Sequence, residues 1–287
     1  MSIPPALPLD LGAVLAQPRD YVGNRFVYAV ITSRARGLSI GVNMNPDQRC
    51  NFDCPYCEVK RTAKLPRQKV DLKVMNQELT QLLILAQTRR FHTLAPFSNV
   101  PPDLLELKEV ALSGDGEPSL ATNFDAIVAE VLKIRRLLGP FKVVLITNGT
   151  GLHRPAVRRG IDLFGENDEI WIKLDAGTDA YMQRVNGTTV PLESIVQNII
   201  AIGRERPVII QSLFCLIDGE PPSEAEIDAY IQRLRTIKES GAQVSLVQVY
   251  SLMRPPARPG CKHLPLATLS RIARRIRTET GFRSEVF

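Results

Sequence analysis

The sequence predicts an α/β fold, a partial (β/α)6, TIM-like barrel with a short N-terminal β extension. Two observations carry this reading. Short, apolar, β-branched runs alternate with amphipathic stretches of helical period along most of the 287 residues, which is the pattern of a parallel sheet covered on both faces. The alternation also yields six βα units, two short of a closed eightfold barrel. No internal repeat or low-complexity tract interrupts it.

The elements follow in order. The opening stretch, MSIPPALPLDLGAVLAQPRD, reads as a Pro-rich arm. FVYAVITS (26–33) and LSIGVNMN (38–45) are β-rich, and RARG between them suits a hairpin around Gly37. VMNQELTQLLILAQTRR (74–90) is the first barrel helix, and PPDLLE (101–106) is a loop leading to the strand EVALSG (109–114). NFDAIVAEVLKIRRLL (123–138) is helical, KVVLIT (142–147) a strand, and a short helix covers about 154–164. Strand EIWIKLDA (169–176) precedes helix LESIVQNIIAIGRE (192–205). PVIIQSLFCLI (207–217) reads as one strand, followed by a helix over 224–241. QVSLVQVY (243–250) and the helix at 266–281 complete the array. The arm and β extension occupy 1–36, and the barrel occupies 37–287.

Hydrophobic residues make up 44% and charged residues 23%, a globular composition with enough apolar material for a core without staples. Five cysteines, three of them clustered, do not suit a disulfide framework and point to a reducing compartment. The N-terminus lacks a basic n-region and is cut by prolines, so it is not a signal peptide. No apolar run approaches membrane-spanning length. The expectation is a soluble, cytoplasmic protein with no membrane partner. A net charge of +6 permits a polyanionic partner and equally serves solubility.

The chemistry concentrates in RCNFDCPYC (49–57). Cys50, Cys54 and Cys57 share a helical face by spacing, but Pro46, Pro55, Asn51 and Asp53 make a helix untenable. This is a loop leaving the C-terminal end of the first barrel strand, and three thiols there are metal ligands by preference. A structural zinc wants four protein ligands, for which Cys215 or Cys261 could serve. An iron–sulfur cluster also usually takes four cysteines, so three would leave one iron open to a substrate or cofactor.

The Cys50-x3-Cys54-x2-Cys57 spacing, with aromatic Tyr56 before the last cysteine, resembles the signature loop of the radical S-adenosylmethionine (radical SAM) superfamily. The resemblance implies a [4Fe–4S] cluster on Cys50, Cys54 and Cys57, with S-adenosylmethionine supplying the missing ligand. LSGDGEPSL (112–120) is similar to that family's Gly-Gly-Glu-Pro motif, with Asp115 inserted: Gly114, Asp115, Gly116, Glu117 and Pro118. In the family this segment holds the methionine amino group, and an ammonium needs acceptors. Asn148 in ITNGT, and Lys173 and Asp175 in IKLDAG, end the next two strands. Lys173 and Asp175 alternate with apolar residues and so share a face, where similar residues contact the methionine carboxylate and ribose. Gln211, Ser212, Gln248 and Tyr250 are further polar residues on later strands.

The motifs SGDGEPSL, IKLDAG and RPPARPG (254–260) together resemble the subgroup related to the wyosine-base synthases, which act on transfer RNA. Two departures stand out: only Cys215 and Cys261 remain for a second cluster, and there is no flavodoxin-like domain. The implied activity is reductive cleavage of S-adenosylmethionine to a 5′-deoxyadenosyl radical, which abstracts hydrogen from a substrate. The implied reductant is a donor such as flavodoxin or ferredoxin. Lys60, Arg61, Lys64, Arg67 and Lys69 follow the cysteine loop, and Arg254, Arg258 and Lys262 follow the sixth strand. Together they suggest a basic mouth for an anionic substrate, transfer RNA or a phosphorylated small molecule. Two rival readings are an activase working on a protein partner and a zinc-stabilised RNA-binding protein. His92, His153 and His263 show no ligand spacing, and Cys215 reads as a core thiol.

Overall fold

The computed structural model describes residues 11–61 and 65–287. The first ten residues of the arm and Lys64 of the basic run lie outside them. Within the arm a short helix, α1 (Leu11–Ala16), stands where only a Pro-rich segment was expected. The hairpin forms as expected, with β1 (Val27–Thr32) antiparallel to β2 (Gly37–Asn43).

From β2 onward the chain winds through βα units: α2 (Leu72–Gln87), β3 (Leu107–Ser113), α3 (Phe124–Leu138), β4 (Val143–Thr147), α4 (Pro155–Ile161) and β5 (Glu169–Lys173). Then come α5 (Asp179–Asn186), α6 (Leu192–Glu205), β6 (Val208–Leu213), β7 (Cys215–Ile217), α7 (Glu224–Glu239), β8 (Val244–Tyr250), β9 (Cys261–His263), α8 (Leu266–Thr280) and β10 (Ser284–Val286). The main sheet has eight strands in the order β1-β2-β3-β4-β5-β6-β8-β10. All its pairs are parallel except β1–β2. The six units are those the alternation predicts, and the barrel is open between β1 and β10.

Three features differ from expectation. The run 207–217 is two strands, not one. At Leu213 its pairing with Tyr250 ends, and Cys215–Ile217 leaves the sheet to pair antiparallel with Cys261–His263. Helix α5 and strand β10 are additional. At the gap between β1 and β10, Arg36 reaches across to Glu285 of β10 at 3.1 Å, while Arg34 lies over the Tyr250 ring at the end of β8 and Arg254, in the loop after β8, donates to the Ile31 carbonyl of β1.

Strand period two sorts the side chains. Ile40, Leu112, Leu145, Ile172, Ile210 and Val249 are fully buried, on the faces that alternate with the barrel interior. Inside the barrel, one side is plugged by Val144, Trp171 and Ile209 with Ile146 and Leu246. The other side is polar, with Ser39 donating to Glu109. Glu109 is 1% exposed, and its Oε2 has no hydrogen-bond partner. Lys142 lies 4.0 Å away but sits closer to Glu169.

Burial pushes the Glu109 carboxyl above its ordinary range, and Lys142 and Ser39 pull back less than that. As pH rises through about 4, the unfolded chain gives up this proton first, so the group subtracts stability progressively until the folded carboxyl ionises as well, and the loss stays at its full size above that pH. Glu109→Gln should therefore raise the urea midpoint at pH 7 and change it less near pH 4. Equal shifts at both pH values would contradict this account.

Candidate active site

The residues singled out by sequence converge at the C-terminal ends of the strands. Cys50, Cys54, Tyr56, Cys57, Gly114, Asp115, Gly116, Glu117, Asn148 and Lys173 all line one cavity of about 300 Å³, which extends down to Arg34 and Glu109. Residues 44–61 form neither helix nor strand, as the prolines require. Pro118 begins a short turn beside the cavity, and Asp175 lies just behind its wall, 3% exposed.

The cysteine loop is held from several sides by its neighbours. Arg49 O accepts from Glu117 N at 2.8 Å, Asn186 O accepts from Asp53 N, and Cys57 O accepts from Ala257 N. Asn148 Nδ2 donates to Asn51 Oδ1 at 2.8 Å, and Asn51 Nδ2 donates to Thr150 Oγ1. Gly114 has φ +136°, and a Cβ there would sit 2.2 Å from Asn43 Oδ1. A Cβ on Gly116 would sit 2.0 Å from Arg49 O. Both glycines thus let the motif press against the cysteine loop and the end of β2.

Glu117 and Asp115 have separate tasks. Glu117 is 3% exposed and accepts from Ser119 N, Asn148 N and Thr147 Oγ1. Burial pushes its carboxyl up despite those donors. Asp115, the inserted residue, faces the arm: it pairs with Arg19 at 2.8 Å and accepts from Tyr21 Oη and Asn43 Nδ2. The insertion thereby fastens the N-terminal arm to the rim of the cavity.

Lys173 and Asp175 do meet, at 3.7 Å. Asp175 accepts from Leu213 N at 2.9 Å, from Asn186 Nδ2 at 2.8 Å and from the Tyr56 hydroxyl. Lys173 donates to Tyr250 Oη at 2.9 Å, with its ammonium 5.1 Å from the Tyr56 ring centre. Burial alone would favour neutral Lys173, but Asp175 and Tyr250 outweigh it and hold the ammonium above its ordinary range. Gln211 donates to Gln248 within the barrel. Ser212 points the other way, to Leu174 O and Tyr230.

Sequence reasoning missed Asn186, whose Nδ2 lies 3.5 Å from Cys54 Sγ and 3.1 Å from Tyr56 Oη. It arrives on α5. Thr178, which caps that helix by accepting from Tyr181 N, and Gly187 at its end were readable signals. The arm residues Arg19 and Tyr21 carried no such signal.

The thiols are buried to different degrees. Burial first, and then the charge of Glu117, push Cys50 up to about 12. Burial pushes Cys54 up as well, against Lys173. Among the described residues no three His, Cys, Asp or Glu side chains converge on a single-ion site.

The basic mouth is largely spoken for. Arg61 donates to Phe52 O, and Arg258 grips Asp53 and Cys54 O. Arg254 donates to Leu15 O and Gln17 O and lies 3.5 Å from Glu58. These arginines brace loops instead of offering free charge, which corrects the simpler picture from the sequence. Lys60, Arg67, Lys69 and Lys262 remain exposed. Among the described residues, no helix is long and apolar enough to cross a membrane.

An open βα barrel with three thiols, a glycine-rich acidic turn and a buried Lys–Asp pair at one mouth defines a cofactor-dependent enzyme class. The model of the Radical SAM superfamily matches residues 44–231, and the chain belongs to that superfamily. It is an enzyme of this class, whose members use a [4Fe–4S] cluster and S-adenosylmethionine. Among curated relatives, UPF0026 protein slr1464 of Synechocystis sp. is 28% identical over 225 residues, covering 76% of this chain and 74% of the relative. A UPF0026 protein of Helicobacter pylori is 22% identical over 232 residues, covering 80% and 68%. The solved structure of TYW1 with a bound lysine–pyruvate adduct has a TM-score of 0.56 at 15% identity, covering 90% of this chain and 85% of that one. The likeness to the wyosine-base synthases thus holds at the level of the fold.

Proposed function

We propose that Cys50, Cys54 and Cys57 hold the [4Fe–4S] cluster, and that Tyr56, the Gly114–Pro118 turn, Asn148 and the Lys173–Asp175 pair shape the S-adenosylmethionine site. The observation that carries this reading is the shared cavity lined by all three thiols and by the glycine-rich turn. The donor set fits. Burial makes the Cys50 and Cys54 thiols disfavour the thiolate by themselves, and a bound metal reverses that preference. They are not drawn to one point, which suits a group wider than one ion.

When bound, the two cofactors supply reductive cleavage of a carbon–sulfur bond and a 5′-deoxyadenosyl radical. The chain's own residues orient and shield. Tyr56 is fixed by Asp175 and Asn186, which sets the last turn of the cysteine loop. Asn148 ties that loop to β4. Glu117 spends its acceptors on β4 and its own turn, and Asp115 spends its own on Arg19, Tyr21 and Asn43, so backbone carbonyls are the acceptors left for an ammonium there. We assign residues 1–36 to the N-terminal arm and β extension, of which Arg19 and Tyr21 reach Asp115 at the cavity rim, and 37–287 to the barrel.

The substrate in this reading carries an anionic group. Arg34 lines the cavity and its Nε is buried without a partner. The other cations lining that cavity each have a carboxylate: Arg19, Arg61, Lys173 and Arg254. Among the described residues Arg34 makes no ion pair: it stacks 4.5 Å from the Tyr250 ring centre, and Glu109, which lines the same cavity, feels its charge from farther off.

The test begins with anaerobic reconstitution, iron, sulfide and zinc analysis, and an assay for 5′-deoxyadenosine with dithionite. Four irons with cleavage supports the reading, whereas one zinc without cleavage defeats it. Transfer RNA and phosphorylated small molecules are then compared as stimulants of cleavage. Arg34→Gln should keep iron content and unstimulated cleavage while weakening the stimulant about tenfold or more, the range for a lost charge-assisted hydrogen bond. An unchanged response would remove Arg34 from the substrate site.

A further inference from the structure

A second cavity, of about 430 Å³, lies on the outer side of the cysteine loop. It shares one residue with the inner cavity, Cys50. Its rim carries Arg49, Arg67, Lys69 and Arg154 against one carboxylate, Asp47. Asp47 is already paired with Arg49 at 3.1 Å, and Arg154 donates to Ser119 O. Arg67 and Lys69 are exposed and meet no carboxylate among the described residues. Leu65, two residues before Arg67, is a large apolar side chain left 38% exposed.

We propose that this outer face docks a small acidic protein carrying a one-electron redox group, and that Cys50 is the ligand through which the electron enters. The proposal rests on the reading that Cys50 holds the cluster. Electron transfer falls off steeply with distance, so a carrier must approach where the centre is thinly covered. Cys50 is the wall common to the inner site and the outer cavity. The inner mouth, rimmed by Leu15 and Arg19 of the arm and by Arg254, is the opening that the cofactor and substrate need. Unpaired positive charge beside one exposed apolar residue is the make-up of a small, electrostatically steered, transient interface. The step balances simply: the carrier loses one electron, the centre held at Cys50 gains it, and no bond or proton moves.

The probe is an acidic flavodoxin, titrated against the reconstituted full-length chain at low and high salt. Binding should be salt-sensitive, and the double variant Arg67→Glu/Lys69→Glu should weaken it about tenfold or more, by placing like charges across the interface. Flavodoxin-driven formation of 5′-deoxyadenosine should fall with it, while the dithionite-driven rate stays unchanged. A control reversal at exposed Arg274 on α8 should alter neither. Flavodoxin binding that ignores both salt and the double variant would overturn the proposal. Loss of transfer-RNA binding with flavodoxin binding intact would also overturn it and give the face to RNA. Should the unaltered chain form no 5′-deoxyadenosine even with dithionite, the cluster reading itself falls, which is a separate failure.

Discussion

Cys54→Ala should yield a folded chain that retains little iron and makes no 5′-deoxyadenosine above background, whereas Cys215→Ala should retain both. Cys54 is 8% exposed and Cys215 is fully buried, so both truncations remove a small buried group and should cost similar, modest stability. Their chemistry differs. Cys54 lines the cavity between Tyr56 and Phe52, while Cys215 lies on β7, paired in register with His263. Anaerobic iron and sulfide analysis beside a urea melt separates loss of the centre from loss of the fold. Equal iron in both variants would mean that the three thiols of 50–57 are not the ligands.

The second large effect is on stability. Asp175→Ala should lower unfolding free energy by about 3–5 kcal/mol, the usual penalty for removing one member of a buried pair. It takes the shared acceptor from Lys173, the Tyr56 hydroxyl, Asn186 and Leu213 N at once. Asp175→Asn keeps an acceptor of the same shape and should lose less. Because Tyr56 is then held only by Asn186, iron content should fall in the alanine variant even where it remains folded. Denaturant titration with metal analysis checks both points, and a wild-type midpoint for Asp175→Ala would refute the bracing role.

The fold was legible where one period dominates. The runs on β3, β4, β5 and β8 are largely apolar because helices cover one face and the barrel interior meets the other. The hairpin was legible from Arg36–Gly37 between two β-rich runs. The break at Phe214 was not, because Cys215–Ile217 is as apolar as the strand before it. What separates them is the end of the partner strand at Tyr250, a tertiary fact. Strand β10 is three residues with one apolar side chain, too little for any pattern.

In the site, the cysteines and the glycine-rich turn could be found because their spacing is local. Lys173 and Asp175 could be paired because only Leu174 stands between them in the sequence. The support was hidden: Arg19 and Tyr21 reach Asp115 across more than ninety positions, and Arg254 returns to the arm across more than two hundred. Such contacts leave no period in the sequence. They also turned an expected basic mouth into a set of braces.

The arginines at the gap between β1 and β10 have one more consequence. A cylinder whose last joint is made by side chains can part along that line without breaking a ladder of backbone hydrogen bonds. Arg36 stands largely in solvent, its side chain 74% exposed, so its grip weakens as ionic strength rises. The barrel therefore has a built-in seam. Arg34 on the Tyr250 ring and Arg254 on the Ile31 carbonyl stand beside that seam.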